Sequence, residues 1–243
     1  VSGARRRYIA RRLKGTRKRK GKAMVEFIEI IKAAILGIIQ GVTEWLPISS
    51  TGHMILFDSL WPLKASDDFK DMFDVVIQLG SILAVLVVYF SRLNPWSRKK
   101  TPEENKYTLN LWGKIIVAAI PAAIAGVFLD DIISTYLGGY AVVAAALIVY
   151  GIAFIIIERS KKNTVPRIQK AEDIDIKTAL SIGAFQVLSL VPGTSRSGST
   201  IVGAMLVGVS RTAAAEFSFF LAIPIMFVAS GLRGLKYALK VAG

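Results

Sequence analysis

The chain has no cysteine among its 243 residues and a single histidine, His53. The first absence excludes disulfides and thiolate metal sites, and it leaves cysteine usage silent about redox compartment. The second leaves one imidazole for any acid-base or nucleophilic work. Acid is scarce as well, with 17 Asp and Glu against 31 Lys and Arg, and none of it falls in residues 1–23. Long stretches carry no charge at all: 132–157 has none, and 72–90 has only Asp74. A soluble domain would spread its charges, so these gaps exclude that class. A cleavable signal peptide is not predicted, because the basic start lacks a following small-residue cleavage site.

What is present is apolar. Hydrophobic residues make up 53% of the chain and the mean hydropathy is +0.51. A bilayer core takes about 20 apolar residues per crossing helix. Spans are predicted at Met72–Phe90, Leu111–Leu129, Ile132–Ile157 and Phe217–Leu232. The net charge of +14 raises nucleic acid as a partner, but residues 1–23 hold eleven of the basic residues, leaving 20 basic against 17 acidic. No nucleic-acid partner is therefore expected. The tail reads as disordered or non-native, with Met24 as a natural start, and residues 24–243 read as one integral membrane domain.

The loops are charged unequally. Arg92, Arg98, Lys99, Lys100 and Lys106 fall between the first two spans, and residues 158–177 carry another basic group. The turn expected between the second and third spans has Asp130 and Asp131 and no base. The positive-inside rule then puts both basic loops in the cytoplasm.

Two polar stretches interrupt the apolar pattern. Gly41–His53 places Glu44, Pro47, Ser49, Ser50, Thr51, Gly52 and His53 after an apolar run too short to cross, and Met54–Leu60 follows. Pro192–Thr200 repeats the design with Ser195, Arg196, Ser197 and Thr200. Proline ends each helix, and irregular backbone at membrane depth is tolerated only where it lines a cavity. Gly37 and Gln40 followed by Pro47 and Ser50 are matched by Gly183 and Gln186 followed by Pro192 and Ser195. The expected fold is all-α: transmembrane helices plus two re-entrant helical hairpins in an inverted repeat, with a first repeat about 24–130 and a second about 138–243. The hairpins enter from opposite faces, the first from outside, and form a central site.

The residue types suggest phosphate chemistry. Gln40 and Glu44 share a helix face, and their oxygens suit a hard cation, Mg²⁺ or Ca²⁺; a hydrogen-bonded glutamate bracing the hairpin is the alternative. Ser49, Ser50 and Thr51 open a helix whose N–H groups, with that of Gly52, can cradle an anion. His53 lies three residues beyond Ser50 and could serve it as base, or attack directly. Arg196 offers a planar fork for phosphate, supported by Ser195, Ser197 and Thr200, or a structural partner for Glu44. A phosphorylated lipid follows as substrate. Inverted repeats also suit a lipid-phosphate transporter or flippase, and a homodimer is compatible with either reading.

Gln40-Gly-Val-Thr-Glu44-Trp-Leu-Pro47-Ile-Ser-Ser50-Thr-Gly-His53, then Phe73-Asp-Val-Val-Ile-Gln78, then Pro192-Gly-Thr-Ser-Arg196-Ser-Gly-Ser-Thr, then Glu216-Phe-Ser-Phe, resemble the undecaprenyl-diphosphate phosphatase family of bacitracin-resistance type. The resemblance spans about Met24 to Lys236. It implies hydrolysis of undecaprenyl diphosphate to the monophosphate and inorganic phosphate, with a divalent cation, at the plasma membrane of a prokaryote. It implies further that Glu44 is a motif acid, Ser50 a nucleophile or its positioner, His53 the motif histidine and Arg196 the phosphate ligand. Some members have Glu where this chain has Gln40. Members continue for roughly two more helices, so the second repeat is expected to be incomplete at Gly243. Phosphatidic-acid phosphatases need a second histidine and are set aside.

Overall fold

The structure is a computed structural model that describes residues 24–137, 139–162 and 164–242. The basic tail, 1–23, lies outside the described residues. Nine α-helices account for most of the described residues. α1 spans 24–43. It is followed by α2 (Ser50–Leu60), α3 (Asp67–Val88), the short α4 (Phe90–Leu93), α5 (Pro102–Leu137), α6 (Tyr140–Lys161), α7 (Ile176–Gln186), α8 (Arg196–Leu206) and α9 (Arg211–Ala242). Among the described residues the only β-pairing is an isolated parallel bridge between Ile168 and Val209.

Among the described residues four helices are long and apolar enough to cross a membrane, within α3, α5, α6 and α9. Their burial differs with their place. Half of the spanning stretch of α9 is buried inside the protein, against 6% of that of α6. α9 is therefore the central post, and α6 presents most of its apolar surface outward, where lipid rather than water satisfies it. Phe217, Phe220 and Leu221 of α9 are fully buried and form the middle of the core with Ile82, Ile115 and Ile182.

The third expected span is corrected. Asp130 and Asp131 do not make a turn: α5 runs through them to Leu137, and α6 begins at Tyr140 with Gly139 as its N-cap. Acidic side chains do not stop a helix, whereas glycine readily leaves helical geometry, so the chain turns at the glycine.

α3 and α9 pack antiparallel. Phe69 meets Tyr237 at one end, and Tyr89 meets Phe220 edge-on at 5.1 Å at the other. The ends of the molecule can be followed from these contacts. At the Phe69 end, Glu29 of α1 accepts the Lys64 N–H (2.7 Å), and Lys70 pairs with Asp58 near the end of α2 (3.1 Å). Both ends of the α1–α2 hairpin thus open on this side. At the Tyr89 end, Arg92 pairs with Glu172 and Glu216. The segment before α7 and the one after α8 meet there too, through the Ser210 N–H on the Ile168 carbonyl (2.7 Å). Two helix-break-helix hairpins therefore enter the bundle from opposite ends, and the basic loops gather at the end that holds the second.

Candidate active site

The tips of the hairpins meet in the middle. α1 brings Gln40 and Glu44 to one face, four residues apart, and Gln40 Nε2 donates to Glu44 Oε2 at 2.9 Å. Pro47 then prevents the helix from continuing. The chain reverses through Ser49, whose φ of 63° is a left-handed conformation that non-glycine residues rarely adopt. That reversal turns Ser50 back toward α1, where its Oγ donates to Glu44 Oε2 at 2.7 Å. Trp45 fixes the tip against α9 by an edge-on contact with Phe219, ring centres 5.0 Å apart.

The second tip is built differently. Gly193 takes φ 90° under α6, where an added Cβ would lie 2.5 Å from the Val143 carbonyl oxygen, so glycine is required on both counts. Ser195 then caps α8, its Oγ accepting the Gly198 N–H at 3.1 Å. Arg196, the first residue of α8, crosses to the other hairpin: Nη2 donates to Glu44 Oε1 at 2.7 Å and Nη1 to the Ser218 carbonyl at 3.2 Å. Ser197 Oγ reaches the Leu46 carbonyl at 3.4 Å. Glu44 is only 7% exposed. Its carboxylate is held by three donors from three directions, as a buried charge must be.

A cavity of about 200 Å³ lies at this junction, lined by Glu44, Ser49, Ser50, Thr51, Thr194, Ser195, Arg196 and Ser197 from the two tips. Seven of these, all but Thr194, stand out in the sequence as candidate site residues, in two stretches some 150 residues apart. Not among them are Thr194, Ser189 and Gln78, which also line the cavity. Gln78 was visible as a polar residue inside an apolar span, the signal that could have found it.

Three expectations are revised by the geometry. The Ser50 hydroxyl is bonded to Glu44 and not to His53; the imidazole Nδ1–H donates to the Ser49 carbonyl (2.9 Å), and the side chain is exposed outside the cavity lining. One turn of helix carries His53 to the flank of α2 while Ser50 faces α1. Thr200, fully buried, bonds Ser218 Oγ (2.6 Å) and the Arg196 carbonyl (3.0 Å), packing α8 on α9 rather than facing the cavity. Gly52 lies against Leu147 of α6 and does not line the cavity.

Ser49 is the N-cap of α2 but makes no side-chain cap bond. The matched serines of the two repeats are thus offset by one position in role. Ser195 is spent on its helix, and Ser50, one residue inside α2, has its hydroxyl free for the carboxylate.

No group of three His, Cys, Asp or Glu side chains gathers among the described residues. The oxygen donors for a cation at the junction are Glu44 and Gln40. Glu44 Oε1 accepts one bond, from Arg196, and the buried Gln40 Oε1 has no partner. Glu44 lines the cavity while the buried Gln40 lies against it outside the lining, so the two oxygens form no closed cage and a hard cation there would bring most of its ligands with it.

The family described as bacitracin resistance protein BacA matches residues 33–242. An undecaprenyl-diphosphatase of Enterococcus faecalis is 56% identical over 214 residues, covering 88% of this chain and 78% of that protein. One of Streptococcus thermophilus is 54% identical over 210 residues (86% and 73%). One of Limosilactobacillus fermentum is 55% identical over 210 residues (86% and 76%).

Proposed function

Because the chain belongs to the bacitracin resistance protein BacA family, we propose that it is the membrane enzyme that hydrolyses undecaprenyl diphosphate to undecaprenyl phosphate and inorganic phosphate. The reaction returns a lipid carrier to cell-wall synthesis. The protein is a multi-pass membrane protein. Its place is the plasma membrane of a prokaryote, with the first hairpin opening outside and the basic loops in the cytoplasm.

The observation that carries the mechanism is the Ser50–Glu44 hydrogen bond of 2.7 Å inside a cavity that also holds Arg196. In the free protein Arg196 neutralises Glu44. A diphosphate in the cavity offers the guanidinium a better-matched partner, and as the fork turns to it the Glu44 carboxylate is released to accept a proton. Ser50 Oγ then attacks the terminal phosphorus while its proton passes to Glu44 Oε2. The bond to the bridging oxygen breaks, and the lipid monophosphate leaves. Glu44 gives that proton to the leaving phosphate and then takes one from a water that attacks the phosphoserine; the P–Oγ bond breaks, inorganic phosphate leaves, and the proton on Glu44 returns to Ser50 Oγ. His53 acts in this scheme as a positioning residue, holding the left-handed Ser49 through its carbonyl. A divalent cation held by Glu44 and Gln40 would supply charge neutralisation on the phosphate oxygens.

The test is phosphate release from farnesyl diphosphate by purified protein in detergent. Wild type is expected to turn over. Arg196→Ala and Ser50→Ala should each lose about 100-fold or more with an unchanged gel-filtration profile, the scale of losing a preorganised charge donor or a nucleophile. Full turnover by Ser50→Ala would remove the serine from the mechanism. A lipid-phosphate transporter is the second reading, favoured by the opposed hairpins and the antiparallel α3 and α9. It predicts no phosphate release by wild type in detergent, where there are no two compartments.

A further inference from the structure

Gln78 sits in the spanning stretch of α3, where an amide side chain needs a partner. It lines the cavity with Glu44, Ser50 and Arg196, yet its side chain makes no hydrogen bond or ion pair to any described residue. Several of the other polar groups at the junction are engaged with one another or with the backbone. Glu44 Oε2 is taken by Gln40 and Ser50, Ser195 Oγ accepts the Gly198 N–H, and Ser197 Oγ turns to the Leu46 carbonyl. A contrast within the chain sharpens the point. Gln186 also has an unpartnered amide, but it is buried away from the cavity lining, where no ligand reaches it.

We infer that Gln78 is a substrate-binding residue, whose amide N–H groups donate to phosphate oxygens of the lipid diphosphate in the cavity. The inference rests on the diphosphatase reading and adds a third element, α3, to a site built from the two hairpin tips. A neutral amide suits this place. It supplies up to two donors to an anion without placing a second permanent cation beside Arg196. The open position also explains why an apolar span tolerates the residue: its hydrogen bonds are completed by the ligand.

Two measurements test this on the full-length protein in detergent: steady-state hydrolysis of farnesyl diphosphate, and equilibrium binding of its non-hydrolysable methylenediphosphonate analogue. Gln78→Ala is expected to raise KM and weaken analogue binding about 10-fold or more, the scale of one hydrogen bond to a charged group, with a smaller change in kcat and an unchanged melting temperature. Gln78→Glu, of the same shape but anionic, is expected to lose more than Gln78→Ala, an order that a packing role would not produce. Wild-type affinity for the analogue in both variants, with hydrolysis intact, overturns the inference and leaves the diphosphatase reading standing. Weakened analogue binding in the variants, with a wild type that binds the analogue but releases no phosphate, upholds the anion contact and removes the hydrolysis. Failure of wild type to bind the analogue overturns both.

Discussion

The two hairpins share a plan and divide the labour. In α8, nine of eleven residues are buried, whereas in α2 only Ser50 and Met54 are. α8 has a side-chain cap at Ser195, and α2 has none at Ser49. Where each break needs positive φ, the second uses Gly193 and the first uses Ser49. The second hairpin is therefore a clamped, unstrained platform that presents Arg196. The first is a lightly packed tip that carries Gln40, Glu44 and Ser50 and keeps a residue in a costly conformation beside the cavity. Strain that persists only because its surroundings enforce it is a recurrent property of reacting sites. Chemistry and scaffold have separated onto opposite halves of one pattern.

The sharpest way to break this contrast is the same substitution in both halves. A Cβ on Gly183 of α7 would collide with the carbonyl group of Ala118 in α5, a backbone that cannot step aside without parting two helices. A Cβ on Gly52 of α2 would meet the Leu147 side chain at 3.1 Å, whose end can rotate. Gly183→Ala should destabilise by about 3 kcal/mol or more, the upper range of overpacking, and lower the yield of monodisperse protein. Gly52→Ala should fall within about 1 kcal/mol of wild type, since helical alanine offsets the contact. Detergent melting curves compare them, and equal losses would show that the hairpins are packed alike.

The second contrast lies in the reversals themselves. Ser49→Gly removes the steric objection to φ 63° and is expected to stabilise by about 1 kcal/mol, the order of a left-handed penalty less the added chain entropy. Phosphate release from farnesyl diphosphate should fall in the same variant, because a freer residue 49 holds Ser50 less firmly on Glu44. A variant that loses stability would place Ser49 among comfortable turn residues and end the argument for strain.

Much of this was legible in the chain. Proline, hydroxyls and one buried charge in each break located both tips, and the repeat of Gly, Gln, Pro and Ser paired them. Charge asymmetry between loops foretold which residues share an end. What failed did so for definite reasons. Asp130 and Asp131 looked like a turn because hydropathy drops there, but a helix ends where its backbone is released. The Ser50–His53 pair looked natural at a spacing of three, yet the local reversal at Ser49 aims the serine across to α1. Thr200 was assigned to the phosphate by its neighbours in sequence, while one further helical turn carries it onto α9. Gln78 stood out as an amide inside an apolar span, but its place beside both hairpin tips depends on tertiary packing.

The mildest contrast concerns the two hairpin mouths and acid. At the second, the Asp175 carboxyl is held below its ordinary value by the Thr178 N–H that it caps and by the Thr178 hydroxyl. At the first, the Lys64 N–H does the same for Glu29, against some upward push from burial. Both carboxyls are depressed, so the folded state binds fewer protons than the unfolded chain. Their contribution is complete above the ordinary carboxylate range, about pH 4, and is lost as pH falls through the depressed folded values. The partners differ in reach. Asp175 caps its own helix, three residues away, and asparagine caps almost as well; Glu29 ties α1 to a loop 35 residues on. Asp175→Asn should keep the neutral melting temperature and flatten part of its decline below about pH 4. Glu29→Gln should flatten the decline as well but start lower at neutral pH, because the charge-assisted tie across the mouth is weakened. Identical neutral values in the two variants would mean that the first mouth is as self-sufficient as the second.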